Sequence, residues 1–143
     1  MKKLFISGLL MIGIAASSFA AGGNKVSFTT ESNFASQFKH ISDVEWTTTD
    51  NYTKATFVLN NVRTEALYDP AGEFIGTNQA ITLEELPVRA KRAFAKKYGD
   101  YTVKQAIHFE GAEEDAYFIS AEGDKGAVVL KVQNNGAIST VKK

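Results

Sequence analysis

The sequence predicts an α+β fold in which helices cover one face of an antiparallel sheet. Two observations favour this fold class. Between residues 83 and 98, apolar side chains recur at three- and four-residue steps, which is the pattern of an amphipathic helix. On both sides of this helix, short stretches alternate polar and apolar residues and are separated by turns rich in Gly, Asn and Asp. A helix with one apolar stripe needs a covering surface, and a sheet built from these stretches provides it.

The central helix is expected to begin near Glu84 and to end at Gly99. Pro87 lacks an N–H group and is tolerated in the first turn, whereas glycine readily accepts a positive φ at a helix end. The apolar stripe consists of Leu83, Leu86, Ala90, Ala93, Phe94 and Tyr98. The basic residues 89, 91, 92, 96 and 97 lie mostly on the other side, and we interpret them as a solvated helix face.

The first twenty residues have the features of a secretory signal peptide. Lys2 and Lys3 form a basic start, residues 4–14 form an apolar run, and residues 18–20 end in small side chains. The apolar run is too short for an ordinary membrane span. We therefore expect a signal peptide at 1–20, a flexible lead-in at 21–30 and a single domain at 31–143, exported to the periplasm or secreted.

Charge and cysteine content exclude several kinds of function. Removing Lys2 and Lys3 leaves 16 − 2 = 14 basic residues against 16 acidic ones, a net charge of −2. This balance argues against nucleic-acid binding, which needs a basic excess. Because the chain contains no cysteine, disulfides, thiolate metal sites and a cysteine nucleophile are excluded.

Eight strands and a short first helix at 31–40 are predicted around the central helix. The strands are expected at 43–48, 52–59, 62–68, 73–78, 102–110, 116–121, 127–133 and 137–141. Asn60 and Asn61 tolerate the left-handed turn conformation and predict a tight hairpin. The hairpin sets the register of its two strands by pairing Leu59 with Val62, Phe57 with Thr64, and Ala55 with Ala66.

The order of elements predicts an internal duplication, with a helix followed by four strands at about 31–79 and again at 82–141. Four pairs of residues match at growing offsets: Phe38 and Tyr98 at 60, Phe57 and Phe118 at 61, Asn61 and Asp124 at 63, and Gly72 and Gly136 at 64. The aromatic residues Trp46, Phe57, Phe94 and Phe118 are expected in the core between helix and sheet.

An ordered set of short motifs resembles a known family. The motifs are Phe38-(x5)-Val44-x-Trp46, Tyr52-x-x-Ala55-x-Phe57, Ala66-x-Tyr68-Asp69-x-x-Gly72 and Leu86-Pro87 before Tyr98-x-x-Tyr101-x-Val103. Together they resemble the PepSY-like proteins, also called beta-lactamase-inhibitor-like proteins, over residues 34–141. The resemblance implies tandem α-β units, a sheet with helices on one side, and protein binding or inhibition of an exported enzyme. The turns at 40–42 and at Gly99 depart from the proline-containing turns common in that family.

The outer face of the sheet is the candidate partner-binding surface. The predicted alternation places on it Tyr52, Val58, Arg63, Leu67, Tyr117 and Ile119, beside Lys54 and Glu65. Mixed apolar, aromatic and charged residues are typical of protein interfaces, although scattered exposed apolar residues are also normal. On this hypothesis, Tyr117→Lys leaves the fold intact and abolishes binding of a partner.

No catalytic, cofactor or metal site is predicted. His40 and His108 are interpreted as surface histidines, and residues 113–115 as a solvated turn without the ligand spacing of a calcium loop. The first hypothesis is therefore a non-enzymatic exported protein-binding module, and inhibition of an exported enzyme is one form that this binding could take. The alternative is a small-molecule carrier or sensor, with a ligand held between sheet and helix by Trp46, Phe57 and Phe94.

Overall fold

A computed structural model describes residues 25–141 of the chain. The predicted signal peptide at 1–20 lies outside the described residues, as does the first part of the predicted lead-in. The helices are α1 (Phe28–Gln37) and α2 (Val88–Tyr98), and a short 3-10 turn lies at Leu83–Glu85. The strands are β1 (Glu45–Thr48), β2 (Thr53–Leu59), β3 (Val62–Tyr68), β4 (Phe74–Ala80), β5 (Thr102–Gly111), β6 (Asp115–Gly123), β7 (Gly126–Val132) and β8 (Ile138–Thr140).

The eight strands form one antiparallel sheet in which spatial order follows chain order from β1 to β8. Every connection within the sheet joins neighbouring strands, so β4 pairs directly with β5 across the long link that contains α2. The predicted antiparallel sheet of an α+β fold is therefore confirmed.

The predicted Asn60–Asn61 hairpin is confirmed together with its register. Both asparagines have positive φ angles, 50° and 63°, as a tight two-residue turn requires. Leu59 pairs with Val62, and the predicted partners further along the two strands also pair. Asparagine therefore fixed which side chains of β2 and β3 share a face.

Helix α1 begins at Phe28, three residues before its predicted start, and it ends at Gln37. The cap explains the difference, since the Ser27 side chain accepts a hydrogen bond from the Thr30 amide at 3.2 Å. Thr30 and Ser32, which have side chains that can also cap a helix, lie inside it. The last three residues of the predicted lead-in are therefore helical.

Helix α2 begins at Val88, later than predicted, because Leu86 and Pro87 are extended and separate it from the 3-10 turn. The turn is closed by Glu85, whose carboxylate accepts hydrogen bonds from the Thr82 amide and hydroxyl. These bonds lower the pKa of Glu85 below its usual range. Gly99 ends the helix with φ −65°, so the predicted positive φ at this glycine is wrong.

Both helices pack on the same face of the sheet, hereafter the helix-covered face. Under α1, the buried core consists of Phe34, Ala55, Phe57, Ala66 and Tyr68. Under α2, it consists of Leu86, Ala90, Phe94, Ala106, Tyr117, Ile119, Ala121, Leu130 and Val132. A third cluster lies on the opposite face, hereafter the open face, and consists of Leu67, Ile107, Phe109, Ala116 and Phe118. Phe118 is therefore buried on the face opposite to the one predicted.

The two halves of the described chain place equivalent backbone groups at two constant offsets. Trp46 pairs with Ala55 as Ala106 pairs with Ile119, which gives an offset of 60 in β1 and of 64 in β2. The turn after β3 repeats at 64, because the Gly72 amide donates to the Asp69 carbonyl and the Gly136 amide donates to the Gln133 carbonyl. Both glycines have positive φ, 86° and 92°.

These offsets correct two of the predicted matches. Phe57 corresponds to Ala121 rather than to Phe118, and Asn61 corresponds to Lys125 rather than to Asp124. The matches of Phe38 with Tyr98 and of Gly72 with Gly136 keep their predicted offsets. A single change of four residues, in the longer β5–β6 hairpin, accounts for the difference between the two offsets.

Candidate protein-binding surface

The structure separates the six predicted partner-binding residues into two groups. Val58, Arg63 and Leu67 lie on the open face, and Tyr52 packs against the cluster on that face. Tyr117 and Ile119 lie on the helix-covered face, within the core under α2. The prediction that all six residues share one face is therefore wrong.

Burial of β6 on both sides explains this error. Ala116, Tyr117, Phe118 and Ile119 are four consecutive buried residues, so no polar residue indicates which side faces a helix. Tyr117 is 9% exposed and its ring stacks on the His108 imidazole at 4.6 Å. Tyr117→Lys would therefore place a charge in the α2 core, and it is unsuitable as a variant that leaves the fold intact.

The apolar cluster on the open face is buried by its own side chains, without a helix packed over it. Gly76 pairs with Gly111 across β4 and β5, and the Phe109 ring lies over both of them. A Cβ atom would come within 2.7 Å of that ring at Gly76 and within 3.0 Å at Gly111. Leu67, beside Gly76, is only 3% exposed as a result. Leu67 is therefore part of the buried cluster on the open face and offers little contact area to a partner.

Two ion pairs on the open face involve residues near the predicted binding surface or the acidic turn at 113–115. The Lys54 ammonium lies 3.2 Å from the Glu65 carboxylate, and both side chains are largely buried. Lys131 pairs with Glu114, which extends from the β5–β6 hairpin across β6. Glu114 belongs to the acidic turn at 113–115, and its carboxylate is paired with this lysine. Within residues 25–141, Arg63 has no ion-pair partner, so its charge is available to a ligand.

A groove lies where the open face meets the β1 edge of the sheet. It has a volume of about 690 Å³ and is lined by residues 40–45 and by Thr56, Phe57, Val58 and Arg63. Strand β1 pairs with β2 only as far as Thr56, whereas β2 continues to Leu59. His40 has a φ of 69° at the turn that leads into the loop before β1. We call this feature the edge groove.

Val58 is the most exposed of the apolar residues that line the edge groove. Its side chain is 61% exposed, although it belongs to a regular strand. The neighbouring Phe57 points to the other face and is buried under α1. The sequence indicated Val58 and Arg63 as surface residues, but the groove itself depends on the short β1 and on the path of the preceding loop. No local pattern specifies either of these.

A polar pair lies on the helix-covered face, beside Tyr117. His108 Nε2 lies 2.6 Å from Asp115 Oδ1 across the β5–β6 hairpin. Burial, and then the Asp115 charge, raise the pKa of the adjacent Tyr117 phenol. His40 is elsewhere, at the edge groove, so the two histidines do not form a common site. Among residues 25–141, no three His, Cys, Asp or Glu side chains are placed to hold a metal ion.

Comparison with known proteins identifies the fold class of the chain. No protein-family model matches the chain, and no curated protein matches it. A BLIP-like protein from Bacteroides fragilis superposes with a TM-score of 0.72 at 16% identity, covering 85% of this chain and 91% of that one. The chain has a beta-lactamase-inhibitor-like fold.

Two further solved structures superpose on this chain with similar scores. A DUF2874 family protein from Bacteroides ovatus has a TM-score of 0.73 at 19% identity, with 83% of this chain and 90% of that chain covered. A candidate periplasmic protein from Bacteroides eggerthii has a TM-score of 0.72 at 17% identity, with 82% and 90% covered. At these identities, the likeness establishes the fold. No helix within residues 25–141 has the length and apolar character needed to cross a bilayer.

Proposed function

We propose that this chain is an exported, non-enzymatic protein-binding module that uses the open face and the edge groove. The positions of Val58 and Arg63 carry the proposal, because both side chains are exposed on the open face and both line the groove. An exposed apolar side chain beside an unpaired arginine is typical of protein interfaces. The BLIP-like neighbour supports a protein as the partner class, and an enzyme of the same compartment is the target that we propose.

Export is proposed from the signal-peptide pattern at 1–20, and the candidate periplasmic neighbour supports it. Lack of catalysis is proposed because the two histidines of the described residues do not converge: His108 contacts Asp115 in the β5–β6 hairpin, while His40 lies at the edge groove.

The alternative, a small-molecule carrier, has less support. Its ligand would be held by Trp46, Phe57 and Phe94, but Phe94 belongs to the core under α2 and the other two belong to the core under α1. Phe34 fills the space between Trp46 and Phe57, with ring centroids 5.2 and 5.1 Å away. These three side chains therefore do not enclose a common cavity.

We infer that the two halves arose by duplication of one helix-plus-four-strand unit, as the PepSY-like resemblance also implies. The constant offsets of 60 and 64 support this inference. So does the matching contact between each helix and its glycine turn: a Cβ on Gly72 would meet Thr30 at 3.1 Å, and one on Gly136 would meet the Arg89 carbonyl at 3.0 Å. Under this proposal, the edge groove is specific to the first half, since the equivalent edge of β5 is covered by β4.

Affinity capture from the exported fraction of the host tests the binding function. The bait is the chain without residues 1–20, compared with a Val58→Lys, Arg63→Glu variant. The matched control is Val88→Lys, Arg89→Glu, which makes the same changes at α2, where Val88 is 64% exposed against 61% for Val58. We expect a discrete protein bound by the parent and by the control, and lost from the Val58 variant. Equal capture by all three baits would contradict the proposed surface.

A further inference from the structure

The outward side of α2 is strongly basic, whereas that of α1 is not. Helix α2 contains Arg89, Lys91, Arg92, Lys96 and Lys97 and no acidic residue within its bounds. At an offset of 60, the corresponding residues of α1 are Thr29, Glu31, Ser32, Ser36 and Gln37. Both helices bury one stripe against the same sheet face, so the shared fold does not account for the difference in charge.

Helix stability does not account for all of these cations either. Lys96 and Lys97 lie in the last turn, where the helix dipole favours a positive charge, but Arg89 lies in the first turn, where the dipole disfavours it. Arg92 is three residues from Arg89 and four from Lys96, and like charges at these spacings repel each other on a helix. The basic row Arg89, Arg92 and Lys96 is therefore retained at some cost to the helix.

Most of these charges remain available for binding. Lys91 is the exception, since its ammonium lies 2.6 Å from the Glu84 carboxylate. Within residues 25–141, the other four cations have no ion-pair partner, and all four are exposed. The basic row extends about 10 Å along the helix, at 1.5 Å per residue. Exposed Val88 adjoins Arg89 at its end.

We propose that the outward side of α2 binds the surface of an anionic phospholipid membrane. The basic row lies on the outward side of a helix of 11 residues, so a flat anionic plane can meet the whole row at once, and Val88 can contact the apolar boundary beneath the headgroups. The edge groove lies at the opposite edge of the sheet from α2, so it is separate from the basic row. Bound in this way, the chain leaves its open face directed away from the membrane.

Vesicle co-sedimentation tests this proposal independently of any protein partner. The probes are vesicles of phosphatidylcholine with 30% phosphatidylglycerol and vesicles of phosphatidylcholine alone, each mixed with the chain lacking residues 1–20. The test variant is Arg92→Gln, Lys96→Gln, which keeps good helix formers. The matched control is Lys39→Gln, Lys125→Gln, which removes the same charge from exposed turns.

We expect the parent and the control to bind the anionic vesicles and not the neutral ones, with binding weakened by salt. The test variant should bind at least about 25-fold more weakly, since each cation near an anionic surface contributes roughly fivefold. Equal binding by both variants, or no binding by the parent, would overturn the proposal. Binding of the parent to soluble heparin with no binding to vesicles would also overturn it and indicate a soluble polyanion instead.

Discussion

The cores under α1 and α2 differ in where their large sheet side chains lie. In a row of paired residues under α1, the large side chain is on β1, at the edge of the sheet. In the corresponding row under α2, the large side chains are on β6 and β7, inside the sheet. The first row consists of Trp46, Ala55 and Ala66, and the second consists of Ala106, Ile119 and Leu130. A neighbouring row shows the same exchange, with Thr53 and Tyr68 in one half and Tyr117 and Val132 in the other. The two halves thus fill similar space between helix and sheet with different distributions of volume.

This comparison shows which packing features the two cores have in common and which differ. Phe34 and Phe94 occupy equivalent helix positions, and each is 5% exposed. Sheet positions under the helix vary in size as long as their neighbours compensate, which agrees with the tolerance of protein cores to changes that conserve volume. The buried helix phenylalanine is therefore common to both cores, whereas the sizes of the strand side chains beneath it differ.

The largest expected effect on stability comes from removing either of these two phenylalanine side chains. Phe34→Ala and Phe94→Ala should each lower the free energy of unfolding by about 3–5 kcal/mol, since each deletes a buried aromatic ring and leaves a cavity. Urea unfolding followed by circular dichroism measures both values. Val88→Ala, at an exposed position of α2, should change stability by no more than about 0.5 kcal/mol. A small loss at one phenylalanine beside a large loss at the other would show that the cores are not equivalent.

Exchange of volume within a row should be smaller in cost and should show coupling. Ala66→Leu alone should destabilise by about 1–3 kcal/mol, because Ala66 is fully buried beside the aromatic cluster of Trp46 and Phe57. Combining it with Trp46→Ala imitates the Ala106 and Leu130 arrangement of the second half. A double-mutant cycle should then give a favourable coupling of about 0.5–3 kcal/mol. Strict additivity would refute the compensation.

The two halves should also differ at alkaline pH. Burial raises the pKa of the Tyr68 phenol from 10.0 to about 12, and its hydroxyl donates to the Gln37 side chain at 3.0 Å, whereas Val132 stands at the equivalent place. The unfolded chain loses this proton more readily, so Tyr68 contributes stability that is fully present below pH 10 and is lost as the pH rises through 12.

We therefore expect the free energy of unfolding to fall more steeply above pH 10 in the parent than in Tyr68→Phe. Denaturant unfolding at a series of pH values from 8 to 11.5 measures both slopes. Tyr117, whose pKa is also raised, keeps part of the alkaline dependence in the variant. Parallel profiles for the two proteins would argue against a protonated, buried Tyr68.

The smallest expected effect concerns the outward side of α2. Arg92→Gln removes two like-charge contacts and should raise the free energy of unfolding by a few tenths of a kcal/mol. Ser32→Gln, at the equivalent position of α1, removes no such repulsion and should change stability less. Thermal unfolding at low salt compares the two variants, and a loss of stability in Arg92→Gln would show that Arg92 serves the fold.

Much of the fold could be predicted because particular residues leave the backbone few choices. Asn60 and Asn61 specified a hairpin and its register. Asp69 stabilises the turn before Gly72 by accepting amide hydrogen bonds from Ala71 and Glu73. The face of β6 could not be predicted, because this strand is apolar on both sides. The helix start at Ser27 was missed because several residues nearby could also serve as caps.

The candidate surface was predictable only in part, for related reasons. Alternation along β2 and β3 placed Val58 and Arg63 on the open face, where one side is buried and the other is not. Gly76 and Gly111, glycines within strands, were the signal for the close approach of the Phe109 ring. Leu67 is buried because β3, β4 and β5 pack together at this point. No single stretch of sequence specifies that packing.

Site-directed photo-crosslinking in the host tests the proposed function most directly. A photoreactive side chain replaces Val58 in one variant and Val88 in the other, since these valines have nearly equal exposure on opposite faces of the molecule. We predict a discrete protein adduct from position 58 and no protein adduct from position 88. A protein adduct from position 88 alone, or none from either position, would contradict a binding function at the open face and edge groove.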